Sequence, residues 1–218
     1  MKSKNKILRV TCDGGAATGK STGAKLLAKK YKLAFLSSGL LYRYAAYLNL
    51  KYKPINKVNF LKKKFKILKY KNLEKINLHT PKISVETSRI AGILTIRNIL
   101  KKYQRDFIKK NKKCVLEGRD ASTKILPNSN IKFFFICNLN VAAKRRYNEL
   151  NKRLKNISFI EVKRALYIRN LSDKNRSISP LQKHPDAVLV NTSKIGKQAM
   201  LAKMSKHVEK FLRKKYGN

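Results

Sequence analysis

The chain has 218 residues, 43% of them hydrophobic, which suffices to bury roughly two-thirds of its unfolded surface in one domain core with appended segments. It carries 53 Lys and Arg against 11 Asp and Glu, a formal charge of +42; the excess runs through the whole sequence, as at 62–70 and 109–113, which reads as a solvated basic surface rather than a localised polyanion site. No segment approaches the roughly 20 apolar residues of a membrane span, the basic start is broken at Arg9 and Asp13 before a signal-like core forms, and Cys12, Cys114 and Cys137 lack CxxC spacing. A cytoplasmic protein with buried, reduced thiols, no membrane association and no specific nucleic-acid partner is expected.

Residues 7–12 form a short β-prone run that enters the glycine-bearing turn 14–19, and 21–31 then repeats Ala24, Leu27 and Ala28 at helical spacing. This is strand, loop, helix. Ser37 to Arg43 follow at the end of a second strand. Residues 51–79 are Lys-rich and weakly periodic, and read as a mobile appendage. Ser88 and Arg97 lie nine residues apart on an expected helix. Val115 and Leu116 lead into Glu117-Gly118-Arg119-Asp120 at a strand end, and 131–137 is an almost continuous apolar run, as in strands covered on both faces. Residues 151–180 are helical in pattern and read as a second appendage; 188–190 completes the strands. Helical patterns between strands predict an α/β protein of the P-loop NTPase type, three layers with a central parallel sheet. Ligands in such sheets bind at the strands' carboxyl ends.

Gly14-Gly15-Ala16-Ala17-Thr18-Gly19-Lys20-Ser21 matches GxxxxGK[ST] in full, after an apolar strand and before a helix. The small residues let backbone N–H groups curl around a phosphate, and the helix start adds partial positive charge. Lys20 is expected to reach the β and γ phosphates of ATP. Ser21 is expected to offer its hydroxyl to Mg²⁺, with Thr22 beside it and Asp13 placed to orient a metal-bound water. The loop alone predicts nucleoside triphosphate binding; the acceptor has to be read elsewhere.

Ser38 and Arg43, Ser88 and Arg97, Arg119 and Asp120, then Arg169, Asp173 and Arg176 form an ordered polar series in which planar arginine forks suit phosphate. From Thr11 to Ser193 the sequence resembles bacterial cytidylate kinases. Their IDGPSGSGKGT motif appears as the segment ending at Thr22, DTGAMYR as Ser37 to Arg43, and EGRDIGT as Glu117 to Thr123. ARRRYKEL is similar to Ala143 to Leu150, and RDxxDxxRxxxPL to Arg169 through Leu181.

The resemblance implies phosphoryl transfer from ATP to CMP or dCMP, with Lys20, Arg169 and Arg176 as the catalytic residues. It implies that Ser38, Arg43, Arg97, Arg119, Arg169 and Arg176 surround the CMP phosphate and the transferring group. Ser88 and Asp120 would address the cytosine and Asp173 the sugar hydroxyls. It also implies a monomer, a monophosphate-binding region at 44–97 with a reduced β insert, and a helical lid at 151–180, Arg153 being a further lid candidate. The core is then 1–43, 98–150 and 181–218. Ser21 stands where the family has Gly, and Ser37, Asn170 and Asn191 stand where Asp is common. Small kinases for AMP, UMP or shikimate share the first motif, and a basic ATP-dependent nucleic-acid-binding protein is the reading from another class; the segments 117–120 and 169–181 argue against the other kinases.

Overall fold

A computed structural model describes residues 6–152 and 157–217; Arg153 lies outside the described residues. Along β1 (Leu8–Gly14), Leu8, Val10 and Cys12 alternate onto one face and are fully buried. They pack there with Ala24 and Leu27 of α1 (Lys20–Tyr31) and with Met200, Met204 and Val208 of α8 (Lys197–Tyr216). The intervening Thr11 and Asp13 are equally buried but find polar partners, Thr11 on the Ser129 hydroxyl at 3.0 Å. The period of two therefore puts an apolar layer on one side of the strand and a hydrogen-bonded one on the other.

β1 is the middle of a five-stranded parallel sheet of order β2-β3-β1-β4-β5, with β2 at Ala34–Ser37, β3 at Lys113–Gly118, β4 at Ile131–Ile136 and β5 at Val188–Asn191. The register pairs Cys12 with Glu117 and Gly14 with Phe135, so the loop that leaves β1 starts flush with its neighbours' carboxyl ends. After β4 come α6 (Leu139–Asn151), capped by the Asn138 side chain on the Asn140 N–H at 2.9 Å, and α7 (Phe159–Asn175). These two helices pack on each other.

The chain divides into two compact units, one comprising residues up to Leu36 and from Lys112 onward, the other Ser37–Asn111. The second is all helical after Ser37, which caps α2 (Ser38–Tyr52) by accepting from the Leu40 N–H at 3.3 Å. The stretch 51–79, expected as a mobile appendage, contains α3 (Lys57–Lys66) and a 3-10 turn at Tyr70–Lys75, with Leu61, Phe65 and Leu73 buried. Within α3 the buried residues are Leu61 and Phe65, four apart among lysines, a narrow stripe that composition largely conceals. The single helix expected to carry both Ser88 and Arg97 is in fact two, α4 (Pro81–Ile90) and α5 (Leu94–Lys110). The break falls at Gly92, a residue that costs a helix about 1 kcal/mol against Ala, where tight bonds from Gly92 N–H to Arg89 O and from Ile93 N–H to Ile90 O end the first helix. Among the described residues no helix is long and apolar enough to cross a membrane.

Candidate active site at the phosphate-binding loop

The loop 14–19 is shaped by three backbone positions. Gly14, at φ +153°, passes so near β4 that a Cβ would stand 2.4 Å from the Phe135 carbonyl oxygen. Ala17 and Gly19 take left-handed conformations, φ 56° and 83°, which turn successive N–H groups inward. Gly19 caps α1 without any side-chain hydrogen bond, so the first-turn N–H groups have no side-chain cap, an arrangement that favours anions at helix starts. Inside the loop, Thr18 Oγ1 and Lys20 Nζ both donate to Gly15 O at 3.0 Å.

Lys20 is 5% exposed and lies 3.4 Å from Glu117 Oε1 at the end of β3. Burial, and then the cations of Arg119 and Arg169, lower its pKa to about 8, while Glu117 opposes the shift. The sequence carries no local signal that Glu117 meets the loop lysine; the Cys12–Glu117 pairing explains why it does. Asp13 departs from expectation. Its carboxylate accepts from Ala121 N–H at 2.8 Å, from Ser122 N–H at 2.7 Å and from Ser122 Oγ at 2.6 Å. Both oxygens thereby pin the π-helical turn Ala121–Ile125 to β1 instead of being placed for a metal-bound water. Burial pushes Asp13 up to about 6 against the pull of these donors.

Facing the loop's unit-mates, Arg119 Nε donates to Asp173 Oδ2 at 2.7 Å, and Arg176 Nη1 is 3.5 Å from Asp173 Oδ1. Burial raises the Asp173 carboxyl, but Arg119 and then Arg169 and Arg176 outweigh it and hold it below the ordinary range. Arg176 also bonds Ser179 O at 2.6 Å, and Leu181 N–H bonds Asp173 O at 2.7 Å, which closes the end of α7. Asp120 is buried just before the π-helical turn. Ser21 is exposed and Thr22 half-buried. Thus Lys20, Arg119, Asp120, Arg169, Asp173 and Arg176 all belong to the unit that holds the loop.

Ser38, Arg43, Ser88 and Arg97 belong to the helical unit. Ser38 is buried and hydrogen-bonds Gln104 Oε1. Arg43 donates to Leu78 O and Ser84 Oγ, both at 3.0 Å, and Arg97 donates to Ala91 O at 2.9 Å beside the Tyr42 ring. Ser88 is exposed on α4, its hydroxyl 3.3 Å from Ser84 O.

Another residue the sequence left without a role supports the loop from behind. Arg145 of α6 donates to Thr192 Oγ1 at 2.9 Å and Thr192 O at 2.6 Å, and Thr192 Oγ1 donates to Thr18 O at 2.8 Å. In a chain with 53 cations no local signal separates this arginine from its neighbours. Next to it, at the carboxyl ends of β4 and β5, lies a cavity of about 600 Å³ lined by Ile136, Cys137, Asn138, Val141, Asn191, Ser193 and Lys194.

A family model for cytidylate kinase matches residues 10–210. The chain belongs to the cytidylate kinase family. Its relatives include the cytidylate kinases of Thermosipho melanesiensis, 34% identical over 92% of this chain and 96% of that one, and of Clostridium tetani, 32% identical over 95% and 96%. A shikimate kinase from Bacteroides thetaiotaomicron shares the fold, with a TM-score of 0.51 at 11% identity over 93% of this chain and 99% of that one.

Proposed function

We infer that this chain is a phosphotransferase that moves the γ-phosphoryl group of ATP to CMP or dCMP, giving ADP and CDP or dCDP. What carries the reading is membership of the cytidylate kinase family over residues 10–210, supported by a buried loop lysine at an uncapped helix start. An oxygen of the acceptor phosphate, already ionised at neutral pH, forms the new bond to phosphorus. The bond to the β–γ bridging oxygen breaks, and its electron pair leaves on ADP. No proton has to be taken by the protein, so its residues act through position and charge.

In this assignment Gly14 to Thr22 hold the donor triphosphate, and Lys20 opposes the charge that shifts onto ADP. Ser38, Arg43 and Arg97 take the acceptor phosphate, with Arg119, Arg169 and Arg176 also serving the transferring group. Asp173 pairs with Arg119 and Arg176 and addresses the sugar hydroxyls when the acceptor is bound. Ser88 and Asp120 read cytosine, whose N4 amino group donates to a carboxylate. Residues 44–97 serve as the monophosphate-binding region and 151–180 as a lid; the donor's base is assigned to the cavity beside β4 and β5. Magnesium accompanies ATP and neutralises phosphate charge; the exposed Ser21 hydroxyl at the start of α1 fits it, whereas Asp13 is held on the Ala121 and Ser122 N–H groups. A cytoplasmic monomer is the expected form.

Formation of ADP from ATP is to be followed with CMP, dCMP, UMP, AMP and shikimate in separate reactions. CMP or dCMP should stimulate it far beyond the others. Absence of stimulation by either overturns the reading.

A further inference from the structure

Asn170 on α7, which stands where the family commonly has Asp, reaches the phosphate loop. Its Oδ1 accepts from the Ala16 N–H at 2.9 Å. A backbone N–H can only donate, so this bond fixes which end of the amide is oxygen and turns the NH₂ group to the other side. No partner for that NH₂ group occurs among the described residues.

The contact is built into the packing. Val162 and Leu166 of α7 pack with Ala16 and with Ala143 of α6, joined by Ala17 and Tyr147, so the loop's own methyl groups seat the helix that carries Asn170. Gly15 leaves the necessary space: a Cβ there would stand 3.1 Å from Asn170 Oδ1 and 3.5 Å from its Cγ. The peptide plane joining residues 15 and 16 is then held at both ends, its carbonyl by Lys20 Nζ and its N–H by Asn170. In the cytidylate kinase motifs these positions are Pro and Asp. A carboxylate at position 170 could accept from Ala16 in the same way but would have no hydrogen to donate and would oppose a phosphate by its charge.

We propose that Asn170 is a donor-binding residue that, anchored by its oxygen on the Ala16 N–H, presents its Nδ2 hydrogens to the terminal phosphate of ATP. The proposal rests on the reading of the loop as the ATP site, and not on the identity of the acceptor. It makes Gly15 and Asn170 a matched pair, the glycine opening the space and the amide supplying a neutral donor where relatives' motifs place a charge.

The test is titration calorimetry of ATP and of ADP, without acceptor, on the wild type, Asn170→Asp and Asn170→Ala. Both variants are expected to bind ATP about tenfold or more weakly, the loss of a hydrogen bond to a charged group. ADP binding should change by less than about threefold in each. Asn170→Asp, which keeps an acceptor for Ala16, should retain the wild-type melting temperature. ATP binding like that of the wild type in either variant overturns the proposal, and so does equal weakening of ATP and ADP. Weakening by Asp alone assigns the effect to the introduced charge and overturns it as well. Should CMP fail to stimulate ADP formation, the proposed acceptor falls, while these titrations still decide the role of Asn170.

Discussion

Lys20 combines a formal charge, 5% exposure and two neighbouring guanidinium groups that Glu117 offsets only in part, an arrangement that a bound polyphosphate would balance further. Lys20→Ala also takes a cation from the buried Glu117 carboxylate, so the fold should survive with a lowered melting temperature while turnover falls by about two or more orders of magnitude; steady-state kinetics beside a thermal melt measures both. The lowered pKa gives a pH signature. With Lys20 titrating near 8 in the free chain, kcat/KM for ATP should decline above about pH 8, since that parameter reports free-enzyme ionisations. The profile of kcat should hold to higher pH, because bound phosphate favours the charged lysine. For stability the sign is opposite: between about 8 and the ordinary value of 10.5 the folded chain holds fewer protons on Lys20 than the unfolded chain. This group's contribution to stability therefore rises with pH across that window.

Helix α1 must lie close to the sheet for the loop to sit flush with the strand ends, and Gly23 permits it. A Cβ at Gly23 would meet the Phe135 ring at 2.9 Å and Met204 Sδ at 3.1 Å. Gly23→Ala gains about 1 kcal/mol of helix propensity but overfills a packed core at about 1–3 kcal/mol. Chemical denaturation should accordingly show net destabilisation, with repacking of Phe135 and Met204 visible in side-chain NMR. Elements of this kind set how much could be read beforehand. β1, the loop and α1 were legible because strand period, small residues and helical spacing coincide within 25 residues of chain. The break between α4 and α5 was not, because a single Gly92 inside apolar spacing is compatible with a continuous helix until the 3-10 bonds around it are seen. Arg145 and Glu117 were illegible as loop supports for a different reason, since their partners Thr192 and Lys20 are separated from them by 47 and 97 residues respectively and meet only through strand order.

At the scale of the whole chain, a formal charge of +42 acts on folding and on catalysis with opposite salt dependence. Mutual repulsion of the cations destabilises the compact state, and the same field draws in anionic nucleotides. Raising ionic strength from about 0.01 to 0.15 M shortens the screening length from about 30 to 8 Å. The melting temperature should rise over that range while kcat/KM for ATP and CMP falls; parallel movement of the two would show that the field does not reach the substrates. The charge also explains the limits of composition as a guide, for Arg119 and Arg176 are set apart by their pairing with Asp173, which a count does not contain. The three thiols divide in a comparable way. Cys12 and Cys114 are buried, the latter pushed up to about 11 by burial, whereas Cys137 is partly exposed on the wall of the cavity beside β4. The native chain thus carries its own attachment point: a thiol-reactive fluorophore added without mutagenesis should couple at Cys137, giving an optical reporter of what enters that cavity.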